Sequence, residues 1–259
     1  MGTRILNNPI HTVESLQRDL LAAGIVPGDT LLVHSSMKSL GQVAGGVRSV
    51  FEALKNAVTS KGLLLFPTFS DAYVTSAHPD FDVAKTPAWT GLLPERFRQE
   101  EGVRRSLHPF HSLTAWGDAA EAFVAGHECF DTAFNRCSPW GRLLERKAKT
   151  LLVGVDLTKA TFLHAVEEWS GVPVLSQEPV LRYIIDLHGN RMPRTIRWHT
   201  GAHSENFFRA EPLLLTQGAL TRCRVGDAAC LLMDCCKTFE CLGPLLRQNP
   251  AFFAHGMVS

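Results

Sequence analysis

Between Asp29 and Thr68 the chain passes through an apolar run, a glycine-rich turn, an amphipathic run and a second apolar run. The first run, Thr30-Leu-Leu-Val33, ends in His34-Ser35-Ser36. Ser39-Leu40-Gly41 and Gly45-Gly46 follow as the turn. Val47, Val50, Phe51, Leu54 and Val58 then recur at helical spacing before Leu63-Leu-Leu-Phe-Pro67. That order is a β-loop-α-β unit, and it commits the chain to an α/β fold. Gly45 and Gly46 stand just ahead of the helix. Bare glycine backbone there offers N–H groups and the positive dipole end to an anion such as phosphate. The plainer reading is a tight turn that needs positive φ. The Rossmann and Walker spacings are both absent.

The 259 residues suffice for one large α/β domain or two small ones. No repeat, low-complexity tract or linker divides them, so one domain over 1–259 with a β-hairpin elaboration is expected. The formal net charge is +1, which gives no field for nucleic acid or an anionic membrane. No apolar run approaches the about 18 residues of a membrane span, and polar residues interrupt the N-terminal stretch where a signal peptide would need its apolar core. A cytoplasmic protein is the expectation. Seven cysteines show no C-x2-C pair, so a zinc ribbon is not indicated. The five between Cys223 and Cys241 lie in a segment that reads as helical, and they read as buried thiols.

Thr12 to Ala23 reads as an opening helix capped by Thr12 and stopped by Gly24. Ser70 to Thr90 reads as a long loop, with Asp71 and aromatic residues available for one wall of a substrate cleft. A short helix from Thr90, a strand from Leu113 to Trp116 and a helix capped by Asp118 follow. Ser138-Pro139 then starts another helix. Thr150 to Val155 reads as a buried strand and Thr161 to Trp169 as a helix. Val180–Leu187 and Met192–Trp198 flank His188-Gly189-Asn190 as a hairpin. A helix from Ser204 to Gln217, a strand from Leu220 to Val225 and a helix from Gly226 to Gln248 close the chain.

Three groups of residues carry chemistry. His164 and Glu167 are three apart on a helix, so their side chains share a face. A neighbouring carboxylate fixes an imidazole's tautomer and makes it a competent general base. An exposed polar stripe would show the same spacing. His108 and His111 flank Pro109-Phe110 in a loop stiffened by proline, as a site wall or as hydrogen-bonded structure. His199 and His203 are four apart, a metal spacing on a helix, but Gly201 lies between them and no third ligand is evident. No Gly-x-Ser-x-Gly elbow marks a hydrolase nucleophile.

Taken in order, several motifs resemble the aminoglycoside 3-N-acetyltransferase family. They are Gly28-Asp-Thr-Leu-Leu-Val-His34-Ser35-Ser36, Ser39-Leu40-Gly41, Gly45-Gly46, Pro67-Thr68, Arg105-Ser-x-His108-Pro109-x-x-Ser112, Ser138-Pro139, Leu163-His164-x-x-Glu167 and Gly218-Ala-Leu-Thr. The resemblance implies an α/β/α sandwich with a central mixed sheet, unlike the GNAT acetyltransferases. It implies transfer of acetyl from acetyl-CoA to an amine, typically the 3-amino group of a 2-deoxystreptamine antibiotic, as in antibiotic resistance. By its motifs, Ser35, Ser36, Ser39, Gly45 and Gly46 would line the CoA side beside His34. His108 and Ser112 would stand near the thioester, and His164 and Glu167 near the amine. No cysteine sits in these motifs, so direct transfer in a ternary complex is expected. No metal is expected. The partners expected are acetyl-CoA and a small amine, with no nucleic acid and no membrane, and a homodimer is left open. A metal-dependent hydrolase built on His199, His203 and His108 is the distant alternative.

One segment departs from the family pattern. Drug-modifying members carry acidic residues after the hairpin, where this chain has Arg197-Trp198-His199-Thr200-Gly201-Ala202-His203. Polycations want carboxylates. Arg197, His199 and His203 therefore suggest an amino sugar or a small amine with its own negative charge as an alternative acceptor.

Overall fold

The computed structural model describes residues 9–200 and 203–254, so Gly201 and Ala202 of the acceptor segment lie outside the described residues. Thr12 caps α1 (Val13–Ala22) through a capping box with Ser15. The expected unit follows as β1 (Thr30–Ser35), α2 (Val47–Val58) and β2 (Leu63–Pro67), with β1 and β2 parallel. The stretch read as a long loop contains a strand, β3 (Asp80–Asp82), which pairs far along the chain and so leaves no local signature. Next come α3 (Leu92–Phe97), β4 (Arg104–Arg105), β5 (Leu113–Trp116) and α4 (Ala120–Val124). Asp118 does not cap α4. It accepts from the Ser60 hydroxyl at 3.3 Å and ties that loop down instead.

Ser138 caps α5 (Pro139–Glu145) by accepting from Trp140 N–H, with Pro139 at the first position as expected. β6 (Lys149–Val153) and α6 (Phe162–Trp169) follow, then the hairpin β7 (Val180–Ile185) and β8 (Arg191–Ile196). Ser204–Ala210 is a 3-10 stretch, and α7 (Glu211–Thr216) begins anew where Pro212 occupies the first turn. β9 (Leu220–Val225) is as expected, but the helix expected from Gly226 is β10 (Ala228–Asp234), and only α8 (Cys235–Gln248) is helical. Val225 pairs with Ala228, so Gly226-Asp227 is a two-residue hairpin loop, with Gly226 at φ 56°. The short apolar run after it fits a strand or a helix equally by period, and the turn decides. Cys223 and Cys230 therefore face each other across two strands rather than lying on a helix.

The main sheet has seven strands in the order β4-β5-β2-β1-β6-β10-β9. β2, β1 and β6 are parallel at its centre and the outer strands are antiparallel. This is the mixed α/β/α sandwich. Strand alternation sends Leu31, Val33, Leu64, Phe66, Leu151 and Val153 into the core that includes α1, α2 and α3. Leu32, Leu63, Leu65 and Leu152 enter the opposite core with α4 to α8. Each such side chain contributes about 1.5–3 kcal/mol by leaving water. The hairpin adds to β3 as a separate three-stranded sheet over Val74, Phe81 and Phe110. The carboxyl ends of β1, β2 and β6 open beside that second sheet, and ligands of parallel sheets bind at such ends. No helix among the described residues is long and apolar enough to cross a membrane.

Candidate active site

The site is built on α6, which follows β6 after a short turn. The three-residue spacing does bring His164 and Glu167 together: Nδ1 of His164 lies 3.0 Å from Oε2 of Glu167. Glu167 is fully buried, and its other oxygen, Oε1, meets Nδ1 of His203 at 2.7 Å. One carboxylate thus holds two imidazoles. The next residue repeats the device. Oε2 of Glu168 meets Nε2 of His199 at 3.0 Å and accepts from the Thr132 hydroxyl at 2.6 Å. Burial raises the Glu168 carboxyl to about 7, the Thr132 bond opposes this, and Asp131 adds to it. Burial, reinforced by His164, depresses His199 to about 3, so its imidazole is neutral at physiological pH.

Two cavities meet at this cluster. One, of about 400 Å³, opens over the end of β1 and is walled by His34, Ser35, Trp89, Thr158 and Lys159. The other, of about 510 Å³, runs under the hairpin and is walled by Asp71, Phe110, Arg182, Trp198 and His199. His111, His164 and Ser204 line both. His164 therefore stands at the junction with its Nδ1 held by Glu167, and its Nε2 is the ring nitrogen left for a reacting group. In the first cavity, Nε2 of His34 and the Ser35 hydroxyl are buried without partners. Burial depresses His34 to about 3, which leaves it a neutral ring. A wider groove of about 720 Å³ runs along α2 past Arg48, Lys55 and Trp116, and among the described residues no histidine lines it.

Residues 32–247 match the family model described as aminoglycoside 3-N-acetyltransferase. The chain belongs to this family. Over 188 residues it is 34% identical to aminoglycoside N(3)-acetyltransferase VII of Streptomyces paromomycinus, a match covering 64% of this chain and 65% of that protein. Over 180 residues it is 33% identical to aminoglycoside N(3)-acetyltransferase III of Serratia marcescens, covering 63% and 66%. The aligned stretches thus span just under two thirds of those relatives. Among solved structures, a mutant of aminoglycoside acetyltransferase AAC(3)-IVa in complex with a gentamicin superposes with a TM-score of 0.84 at 26% identity, covering 97% of this chain and 94% of that one. AAC-IIIb in binary complex with CoASH gives 0.82 at 25% identity, covering 93% and 97%.

Within this family frame, several residues singled out in the sequence fall elsewhere. His108 is fully buried and lines neither cavity. Its Nδ1 accepts from the N–H groups of Phe110 and His111 at 3.3 and 3.1 Å, and its ring packs 4.7 Å from that of His127. It braces the loop, and His111 is the ring that the loop presents. Ser112 is also fully buried. It donates to the Thr68 carbonyl at 2.6 Å, accepts from Nε of Arg105 at 3.0 Å and lies 3.1 Å from the Thr68 hydroxyl, so the protein itself engages this hydroxyl. Ser36 and Ser39 bond each other, Ser39 Oγ donating to the Ser36 carbonyl at 2.7 Å, and neither walls the cavity. Gly45 and Gly46, at φ 75° and 62°, stand before α2 outside the cavity walls, though at the same end of the sheet. Asp71 does line the second cavity, where it accepts from Nε1 of Trp89 at 2.7 Å. Arg197 lines neither cavity. It lies 3.7 Å from Asp131, both half-exposed.

His199, His203 and His108 do not gather as a set of ligand atoms among the described residues. His164, Glu167 and His199 do bring ligand atoms within 4.8 Å of one another, but two carboxylate–imidazole pairs already use that cluster. Of the two loop histidines the sequence offered as a site wall, His111 does line both cavities, whereas Glu168, Thr132, Ser204 and Arg182 were missed. Only Arg182 left a usable trace, a charge at a position where strand alternation demands an apolar residue.

Proposed function

We propose that the protein is an acetyl-CoA-dependent N-acetyltransferase that transfers acetyl directly to an amine, with His164 as general base and Glu167 as its orienting carboxylate. The observation that carries this is the junction: two cavities reach one imidazole whose Nδ1 is fixed by a buried carboxylate. The relatives' names and the CoASH and gentamicin complexes of the neighbours support the substrate pair, with an aminoglycoside amino group as the family's acceptor.

The cavity at the end of β1 takes the donor, and the one under the hairpin takes the acceptor. When bound, acetyl-CoA supplies an activated thioester. Trp89 and Phe69 give the donor cavity apolar wall, and Lys159 a cation. The amino end of α2 behind Gly46 offers free backbone N–H groups for phosphate. An amine arrives protonated and must lose a proton before it can attack. That first proton leaves to solvent. Glu167 fixes Nδ1 of His164 as the donor nitrogen, so Nε2 takes the second proton as the amine nitrogen bonds to the acetyl carbonyl carbon, and passes it to the sulfur as the carbon–sulfur bond breaks. The unpartnered Ser35 hydroxyl is a donor for charge developing on the carbonyl oxygen. Among the described residues no cysteine lines either cavity, in keeping with direct transfer.

The test is thiol release from acetyl-CoA with a panel of aminoglycosides, amino sugars and simple amines, with products weighed by mass spectrometry. A mass gain of one acetyl group on an acceptor amine is expected. Hydrolysis of acetyl-CoA without an acetylated acceptor, or an acetylated protein formed without acceptor, would overturn the reading.

A further inference from the structure

The alternation of β7 places Val180, Arg182 and Ile184 on one face, and Val180 and Ile184 pack with Val74, Phe81 and Phe110. An arginine in that row is out of place. Arg182 is only 8% exposed, with its guanidinium 5.4 Å from the Phe110 ring. Its Nη1 donates to the Leu181 carbonyl at 2.8 Å, and its Nε is buried with no partner. A buried charge is costly unless something compensates it. Among the described residues Arg182 forms no ion pair, whereas Arg98, Arg191 and Arg197 do. Arg194 stands directly opposite on β8 and donates to the Glu128 and Pro193 carbonyls, again without a carboxylate among the described residues. Like charges on facing strand positions repel. This face is two cations short of an anion.

Arg182 lines the acceptor cavity together with His164 and His199. Among the described residues the one carboxylate that lines this cavity is Asp71, already engaged by Trp89. The two acids of α6 are turned to imidazoles: Glu167 to His164 and His203, and Glu168 to His199. A polycation would meet little free negative charge and an unshielded guanidinium. An oxyanion would meet a planar fork with an unused N–H.

Building on the acetyl-transfer reading, we propose that the acceptor is an amine that carries its own oxyanion, a carboxylate or a phosphate, and that Arg182 binds this group while His164 addresses the amine. Recognition then works as a ruler: the anion anchors under the hairpin and the amino group reaches the junction with the donor cavity.

The experiment is calorimetric binding of matched probes to the full chain, β-alanine against β-alaninamide and glucosamine 6-phosphate against glucosamine, with paromomycin as the polycation. The wild-type protein is expected to bind the anionic member of at least one pair about tenfold or more tighter, the scale of a charged hydrogen bond. The pair that discriminates names the group. Arg182→Gln should bring both members of that pair to equal affinity, and Arg182→Lys should restore part of the difference. Equal affinities within both pairs for the wild type, a preference that survives in R182Q, or paromomycin binding tighter than every anionic probe would overturn the proposal. Thiol release from acetyl-CoA is read on the same samples. Anion discrimination without thiol release removes the transfer reading and leaves the anion site standing.

Discussion

His164 and His108 stand in two motifs of the same family, and the fold uses them in opposite ways. His164 sits on a helix with a buried carboxylate at its back and a cavity on either side. His108 sits in a loop, fully buried, with its Nδ1 spent on two backbone N–H groups. The first ring has a nitrogen to offer and a device that orients it. The second has its lone pair committed to holding a turn. An imidazole becomes a reagent through what backs it and what space it faces. Its presence in a motif does not decide the matter.

Four substitutions can break or sharpen that contrast. The largest effect belongs to Glu167→Gln. It should lower turnover by about 10²-fold or more, the scale for losing general-base help, in a thiol-release assay. Turnover near wild type would detach Glu167 from the chemistry. His108→Ala should leave turnover close to wild type and instead cost about 1–3 kcal/mol in urea unfolding, because two buried N–H groups lose their acceptor. A collapse of turnover with unchanged stability would move His108 back into the reaction.

The third concerns the second carboxylate on α6. Glu168 titrates at about 7 in the fold, above its ordinary value, so the folded chain holds a proton that the unfolded chain releases. Its contribution to stability is therefore greatest below about pH 4.5 and shrinks as pH rises through 7. Between pH 6 and 7 this amounts to about 1 kcal/mol, and Glu168→Gln should remove that slope from a pH series of unfolding curves. Identical slopes in the two proteins would contradict a proton held on the buried Glu168 carboxyl. The smallest effect belongs to Arg197→Ala. Its half-exposed pair with Asp131 is worth at most about 1 kcal/mol, and acceptor binding should not change. A marked loss of acceptor affinity would place Arg197 in the site after all.

The same contrast explains what the sequence could reveal. The β-loop-α-β unit and the His164–Glu167 pair were legible because both rest on local periods, alternation on strands and three-residue spacing on a helix. Thr12 and Ser138 were legible as caps for the same reason. β3 was not, because its partner is Tyr183 to Ile185 about a hundred residues away along the chain. β10 was readable in principle from the Gly226-Asp227 turn, yet its short apolar run imitates a helix. Glu167 joining His203, and Glu168 joining His199, required the chain after the hairpin to fold back onto α6. No spacing encodes that. That Arg182 and not Arg197 lines the cavity under the hairpin has a plainer cause. On β7, alternation turns Arg182 to the buried face, whereas Arg197 follows the end of β8 and reaches solvent.

The most direct test of the junction is His164→Ala, assayed for thiol release beside wild type, with acetyl-CoA affinity measured by calorimetry and stability by urea unfolding. Turnover should fall by about 10²-fold or more while acetyl-CoA affinity and stability stay near wild type. Wild-type turnover, or a loss of turnover fully explained by lost acetyl-CoA binding, would contradict His164 as the base at the meeting of the two cavities.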